Sequence, residues 1–153
     1  MTKIENTTKS NNQSKLNLCI LELPKDTENN MLAERKKIFL EKLRSNTKPS
    51  NYKRYLGTPL RYAGGKSLAV GHIINLLPSN IEKVVSPFLG GASVEIALVK
   101  ELGLEVIGYD IFDILINYWH YQINEPEKLA SKLRNFKPTK AEYSRVREIM
   151  KKH

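Results

Sequence analysis

Three short groups of residues in this chain are of the types that bind nucleotide-like ligands. Gly90 and Gly91 sit in the run Ser86-Pro87-Phe88-Leu89-Gly90-Gly91-Ala92-Ser93-Val94-Glu95, where they let the backbone approach a ligand closely. Asp110 follows the glycines by about 20 residues, a spacing at which a strand-end carboxylate accepts from ribose hydroxyls. Tyr62-Ala63-Gly64-Gly65-Lys66 offers an aromatic ring for stacking and an ammonium suited to an anionic group such as a carboxylate. The strict G-x-G-x-x-G pattern is absent, so residues 84–110 alone read equally well as a cofactor cradle or as an ordinary βαβ packing unit.

These groups need elements to hold them. Lys83-Val84-Val85 reads as a strand entering the glycine bend, followed by a helical run to Leu102 with Gly103 as its stop. Glu105 to Tyr109 reads as a short buried strand ending at Asp110. Gly64-Gly65-Lys66-Ser67 invites comparison with a phosphate-binding P-loop. Leu60 stands where that loop needs its first glycine, and residues 53–57 are not a buried strand, so the comparison fails. What remains is a tight bend with Lys66 at the start of a helix expected over Leu68–Leu77, stopped by Pro78.

Taken in order, Tyr62-Ala63-Gly64-Gly65-Lys66, then Pro87-Phe88-Leu89-Gly90-Gly91-Ala92-Ser93-Val94-Glu95, then Tyr109-Asp110, the chain resembles the Dam-like adenine-specific DNA methyltransferases. The resemblance covers roughly residues 58–150. It implies an α/β, Rossmann-like S-adenosylmethionine-dependent methyltransferase fold. It also implies that Tyr62 and Lys66 contact S-adenosyl-L-methionine, that Phe88 and Gly90 line its pocket, and that Asp110 binds its ribose. The chain departs from the family pattern at three places. Ser86 stands where many members carry an acid, Ala92 replaces a glycine in the bend, and Phe112 replaces an asparagine.

The family activates adenine's exocyclic amine with an Asp/Asn-Pro-Pro-Tyr/Phe tetrapeptide, whose acceptors localise the amine's lone pair while the aromatic stacks on a flipped base. The prolines here are at 24, 49, 59, 78, 87, 126 and 138, and no two are adjacent. The resemblance therefore implies no catalytic residue in this chain, and a fold that is incomplete, since a full sheet of this type has about seven strands. The expected organisation is a polar, basic, partly disordered extension over 1–57, with a helix near 31–44, and the N-terminal part of a methyltransferase domain over 58–153.

The surrounding sequence is consistent with a nucleic-acid partner. Net charge is +9, which favours a polyanion, and the resemblance makes that double-stranded DNA. From Lys128 onward nine Lys/Arg face two acids, either a track for phosphates or solvated helix faces. Met31–Arg44 reads as a helix with Leu32, Ile38, Phe39 and Leu43 on its apolar side; its basic side either touches nucleic acid or is merely wet. Leu16–Leu23 reads as a strand closed by Pro24, and residues 1–15 as disordered. Tyr118 and Trp119, on a helix over 114–122, read as core or pocket wall, with a base-stacking platform as the other possibility. Pro126 opens a helix to Asn135, and Thr139-x-x-Glu142 is a capping box opening the last one. Cys19 is alone, no signal-type segment or membrane span is visible, and His120 lacks partners at metal-ligand spacing. A cytoplasmic protein without a metal is expected. A non-catalytic nucleic-acid-binding remnant, or one subunit of a split enzyme whose second polypeptide supplies the catalytic half, stands as the alternative.

Overall fold

The computed structural model describes residues 14–18, 25–46 and 51–151. Its contacts separate into two compact units, Met1–Ile116 and Asn117–His153. The first combines helices with a small sheet: β1 (Ser14–Leu18), β2 (Lys83–Ser86) and β3 (Glu105–Asp110), in the order β1-β3-β2. β2 and β3 run parallel, with Val84 opposite Val106 and Ser86 opposite Gly108. That direction follows from the helical crossover between them, because a hairpin turn would have made them antiparallel. β1 joins the far edge of β3 antiparallel, with Ser14 opposite Asp110. The strand expected over Leu16–Leu23 thus takes in Ser14 and Lys15, whose polar composition predicts disorder. Residues 1–13 and 19–24 lie outside the described residues.

The sheet is covered on one face. Val106 and Gly108 of β3 are buried, Val84 and Ser86 of β2 are half-buried, and Val85 on the opposite face is exposed. Over the covered face lie α1 (Lys25–Leu43), α2 (Val70–Leu76) and α3 (Ser93–Ala97), the last continuing into a π-helical turn, Leu98–Leu102. Leu32, Phe39 and Leu43 of α1 meet Val70 and Ile74 of α2, Leu98 and Leu102 of the π turn, and Val106 in one apolar cluster. Phe39 packs edge-on against Tyr55 at 5.7 Å. Tyr55's hydroxyl donates to Glu101 at 3.2 Å, and burial, then the Glu101 charge, push its pKa up to about 12.

α1 begins before the expected Met31, and Ile38 is exposed rather than on the apolar side. At about 100° per residue Ile38 lies roughly 120° around the helix from Leu32, off the buried stripe. Two cations of the basic side of α1, read as touching nucleic acid or as merely wet, cap neighbouring elements. Arg35 donates from Nη1 to the carbonyl of Leu102 at 3.1 Å, and Lys36 from Nζ to that of Leu77 at 2.6 Å. Gly103 ends the π turn at φ +75°, where a Cβ would meet the Arg35 guanidinium. α2 starts at Val70 rather than Leu68 because the chain first makes a turn closed by the Ala69 N–H to the Lys66 carbonyl, 2.8 Å.

α4 (Asp113–Asn124) leads into the second unit, where α5 (Pro126–Asn135) and α6 (Lys140–Met150) follow. Trp119 is buried and meets Tyr118 edge-on at 5.1 Å. Thr139 caps α6 by accepting the Glu142 N–H at 3.1 Å; the reciprocal half of the capping box is not made, because the Glu142 carboxylate pairs with Arg145. Among the described residues no helix is long and apolar enough to cross a membrane, and no group of His, Cys, Asp and Glu could hold a metal ion.

Candidate functional site

The C-terminal ends of β2 and β3 are where open α/β sheets bind ligands, and the loop between Ser86 and Glu95 occupies that edge. Its tip is held by Asp110. The Asp110 carboxylate accepts the Gly90 N–H through Oδ2 at 2.8 Å and the Phe112 N–H through Oδ1 at 3.0 Å. Leu89 is anchored to β3 as well, donating to the Tyr109 carbonyl at 2.8 Å while its side chain fills the space above Gly108. A Cβ on Gly108 would sit 2.8 Å from Leu89 Cδ1, which explains a glycine in mid-strand.

Tyr62 lies against this bend. A Cβ on Gly91 would be 3.0 Å from Tyr62 Cβ, and one on Gly90 would be 3.5 Å from the ring at Cδ1. Gly90 also has φ +51°, which an L side chain rarely adopts. Thr58 ties the two segments together by donating from Oγ1 to the Gly91 carbonyl at 2.5 Å. Three of the five residues singled out in the sequence, Tyr62, Gly90 and Asp110, therefore meet. Lys66 and Phe88 are placed differently. Lys66 is exposed and its Nζ donates to the Gly64 carbonyl of its own bend at 2.6 Å. Phe88 is 85% exposed at the approach to the bend.

The base of the same loop is closed by a pair that sequence reasoning passed over. Ser86 Oγ donates to Glu95 Oε1 at 2.5 Å, with Glu95 buried in the first turn of α3. Burial pushes the Glu95 carboxyl above the ordinary glutamate range, and the hydrogen bonds from Ser86 and from the backbone N–H groups of Glu95 and Val94 only partly oppose it. The signal was available as an acid inside the apolar run Val94-Glu95-Ile96-Ala97-Leu98-Val99. The Ser86 hydroxyl at the end of β2 thus meets a carboxyl supplied from the helix.

This edge of the sheet thus combines two parallel strands joined by a helical crossover, a glycine bend and a strand-end acid. The sequence model of the D12 class N6 adenine-specific DNA methyltransferases matches residues 62–153, and the chain belongs to that family. It is similar to the Modification methylase StsI of Streptococcus sanguinis, at 38% identity over 96 residues. That match covers 61% of this chain and 14% of the relative, so the chain spans only a small part of the curated protein's length. No solved structure matches.

Proposed function

We propose that this chain is the cofactor-binding portion of a site-specific DNA adenine methyltransferase of a restriction-modification system, with S-adenosyl-L-methionine as its cofactor. The observation that carries this reading is the meeting of Tyr62, Gly90 and Asp110 at one edge of the sheet. In this reading the sheet is part of a Rossmann-like fold, and the protein is cytoplasmic. Double-stranded DNA is the substrate, and adenine's exocyclic amine is the acceptor. The residues fit such a ligand. Asp110 presents a carboxylate at a strand end, Gly90 and Gly91 leave room for close approach, and Tyr62 offers a ring face beside them. When bound, the cofactor supplies an electrophilic methyl group on a sulfonium.

The chain's own residues would bind and orient that group. Asp110 accepts from the ribose hydroxyls, Lys66 swings from the Gly64 carbonyl to a carboxylate, and Phe88 and Gly90 border the pocket. No residue here is assigned to amine activation, because the tetrapeptide is absent, and a second polypeptide or further chain would provide it. Labelled cofactor and duplex DNA should therefore yield no incorporation with this chain alone.

Calorimetric titration with S-adenosylhomocysteine tests the binding. Losing a charge-assisted hydrogen bond costs about 1.5–3 kcal/mol, so Asp110→Ala should weaken affinity roughly tenfold to hundredfold. Lys66→Ala should weaken it less, since an exposed ammonium is well solvated. A folded Asp110→Ala protein, by circular dichroism, with unchanged affinity would put the ribose on another group.

A further inference from the structure

Glu95 is a buried acid without an ion-pair partner among the described residues. It is only 8% exposed, and its side-chain partner is the neutral hydroxyl of Ser86. An ionised carboxylate out of water is unfavourable unless a proton or a cation neutralises it. Helix capping accounts for part of its placement. α3 starts from Ala92, which has no side-chain acceptor, and Glu95 receives hydrogen bonds from the backbone of its own first turn. Those bonds do not outweigh the burial.

The location points to a cation that arrives with a ligand. Ser86 and Glu95 close the base of the loop whose tip Asp110 holds, so two carboxylates bracket one bend at the ligand-binding edge. A ligand with ribose hydroxyls and an ammonium has one group for each. Resting on the cofactor reading above, we propose that Glu95, oriented by Ser86, accepts the ammonium of the cofactor's amino-acid moiety, while Asp110 accepts its ribose hydroxyls. Glu95 then sets specificity for the amino-acid end, and a nucleoside lacking that end gains nothing from it.

The experiment is calorimetric titration of the full chain with two ligands. S-adenosylhomocysteine carries the ammonium, and 5′-methylthioadenosine keeps the nucleoside without the amino-acid portion. Glu95→Gln preserves shape and should weaken S-adenosylhomocysteine about tenfold to hundredfold while leaving methylthioadenosine unchanged. Moving the acid back to the strand end, with Ser86→Asp added to Glu95→Gln, should recover most of the loss. Ser86→Ala keeps the charge and loses its orientation, giving a several-fold loss for S-adenosylhomocysteine alone. It carries the test if Glu95→Gln does not fold, and equal affinity in parent and Ser86→Ala would then overturn the proposal. Unchanged S-adenosylhomocysteine affinity in folded Glu95→Gln, or equal losses for both ligands, also overturns it while leaving the cofactor reading intact. A parent chain that binds neither ligand removes the cofactor reading, and this inference with it.

Discussion

Burial disfavours a charge on Glu95, and this has a sign that can be checked in the ligand-free protein. Its folded-state pKa is raised, chiefly by burial, so the folded form prefers the proton more than the unfolded chain does. The associated stability is fully present below the unfolded-state value and is lost as pH rises through the folded-state value. Glu95→Gln stays neutral throughout. It should therefore be the more stable protein at neutral pH, with the gap closing as acid protonates the parent's Glu95. Urea unfolding across that pH range measures the gap; a parent that gains stability relative to Glu95→Gln as pH rises would contradict it. A variant more stable when empty yet weaker for the ammonium-bearing ligand separates recognition from scaffolding at one residue. Asp110 is different, because its carboxylate already holds two backbone N–H groups. Its removal disturbs the bend itself, which makes circular dichroism an obligatory companion to Asp110→Ala.

At the scale of elements, the loop from β2 to α3 contains a residue in an unfavourable conformation. Ala92 has φ +50° and ψ +31°, the only non-glycine with positive φ among the described residues. A left-handed conformation costs an L residue about 1–2 kcal/mol. Glycine removes that penalty but gives the unfolded chain about 0.4–1 kcal/mol more entropy to lose. Ala92→Gly should therefore stabilise by a few tenths to about 1 kcal/mol, visible as a raised urea midpoint. A destabilised Ala92→Gly would mean that its buried methyl packs well enough to outweigh the strain.

The same loop shows which features local sequence can carry. The apolar run at Val84, the glycines, the Gly103 stop and the acid at Asp110 are local signals, and each lies where its pattern placed it. The antiparallel seat of β1 on β3 depends on pairings between residues nearly a hundred positions apart, for which Leu16-Asn17-Leu18 holds no instruction. The first turns of α1, Lys25-Asp26-Thr27-Glu28, have no apolar periodicity and so give no sign of a helix. Glu95 is only half legible for a related reason: the apolar run around it marks it as an unusual acid, but its partner Ser86 is known only once the fold brings the two together.

At the scale of the whole molecule, charge and burial are distributed unevenly. The first unit builds its apolar cluster under one face of a three-stranded sheet. In the second, α5 and α6 have no buried side chain. Ion pairs at i,i+3 occupy Lys128, Arg145 and Lys151, and exposed pairs of this kind contribute little to stability. Lys132, Arg134 and Lys137 belong to the same exposed segment. If this segment tracks phosphates, affinity for duplex DNA falls steeply with salt and ignores S-adenosylhomocysteine. Replacing these three by Ala should lower the salt slope by about one for each phosphate no longer neutralised. Negligible DNA binding at moderate salt would leave them as solvating charges.

β2 is an edge strand among the described residues, and the manner of its exposure matters for how copies of this chain treat one another. A bare edge invites another chain to extend the sheet, the route by which β-proteins aggregate. This edge is four residues long, begins at Lys83, whose ammonium is paired with Glu105 at 2.8 Å, and runs into Pro87, which has no N–H to offer. A stray strand finds little to hold there. The four residues still suit one more strand, provided that strand arrives with a partner surface of its own to bring it into register.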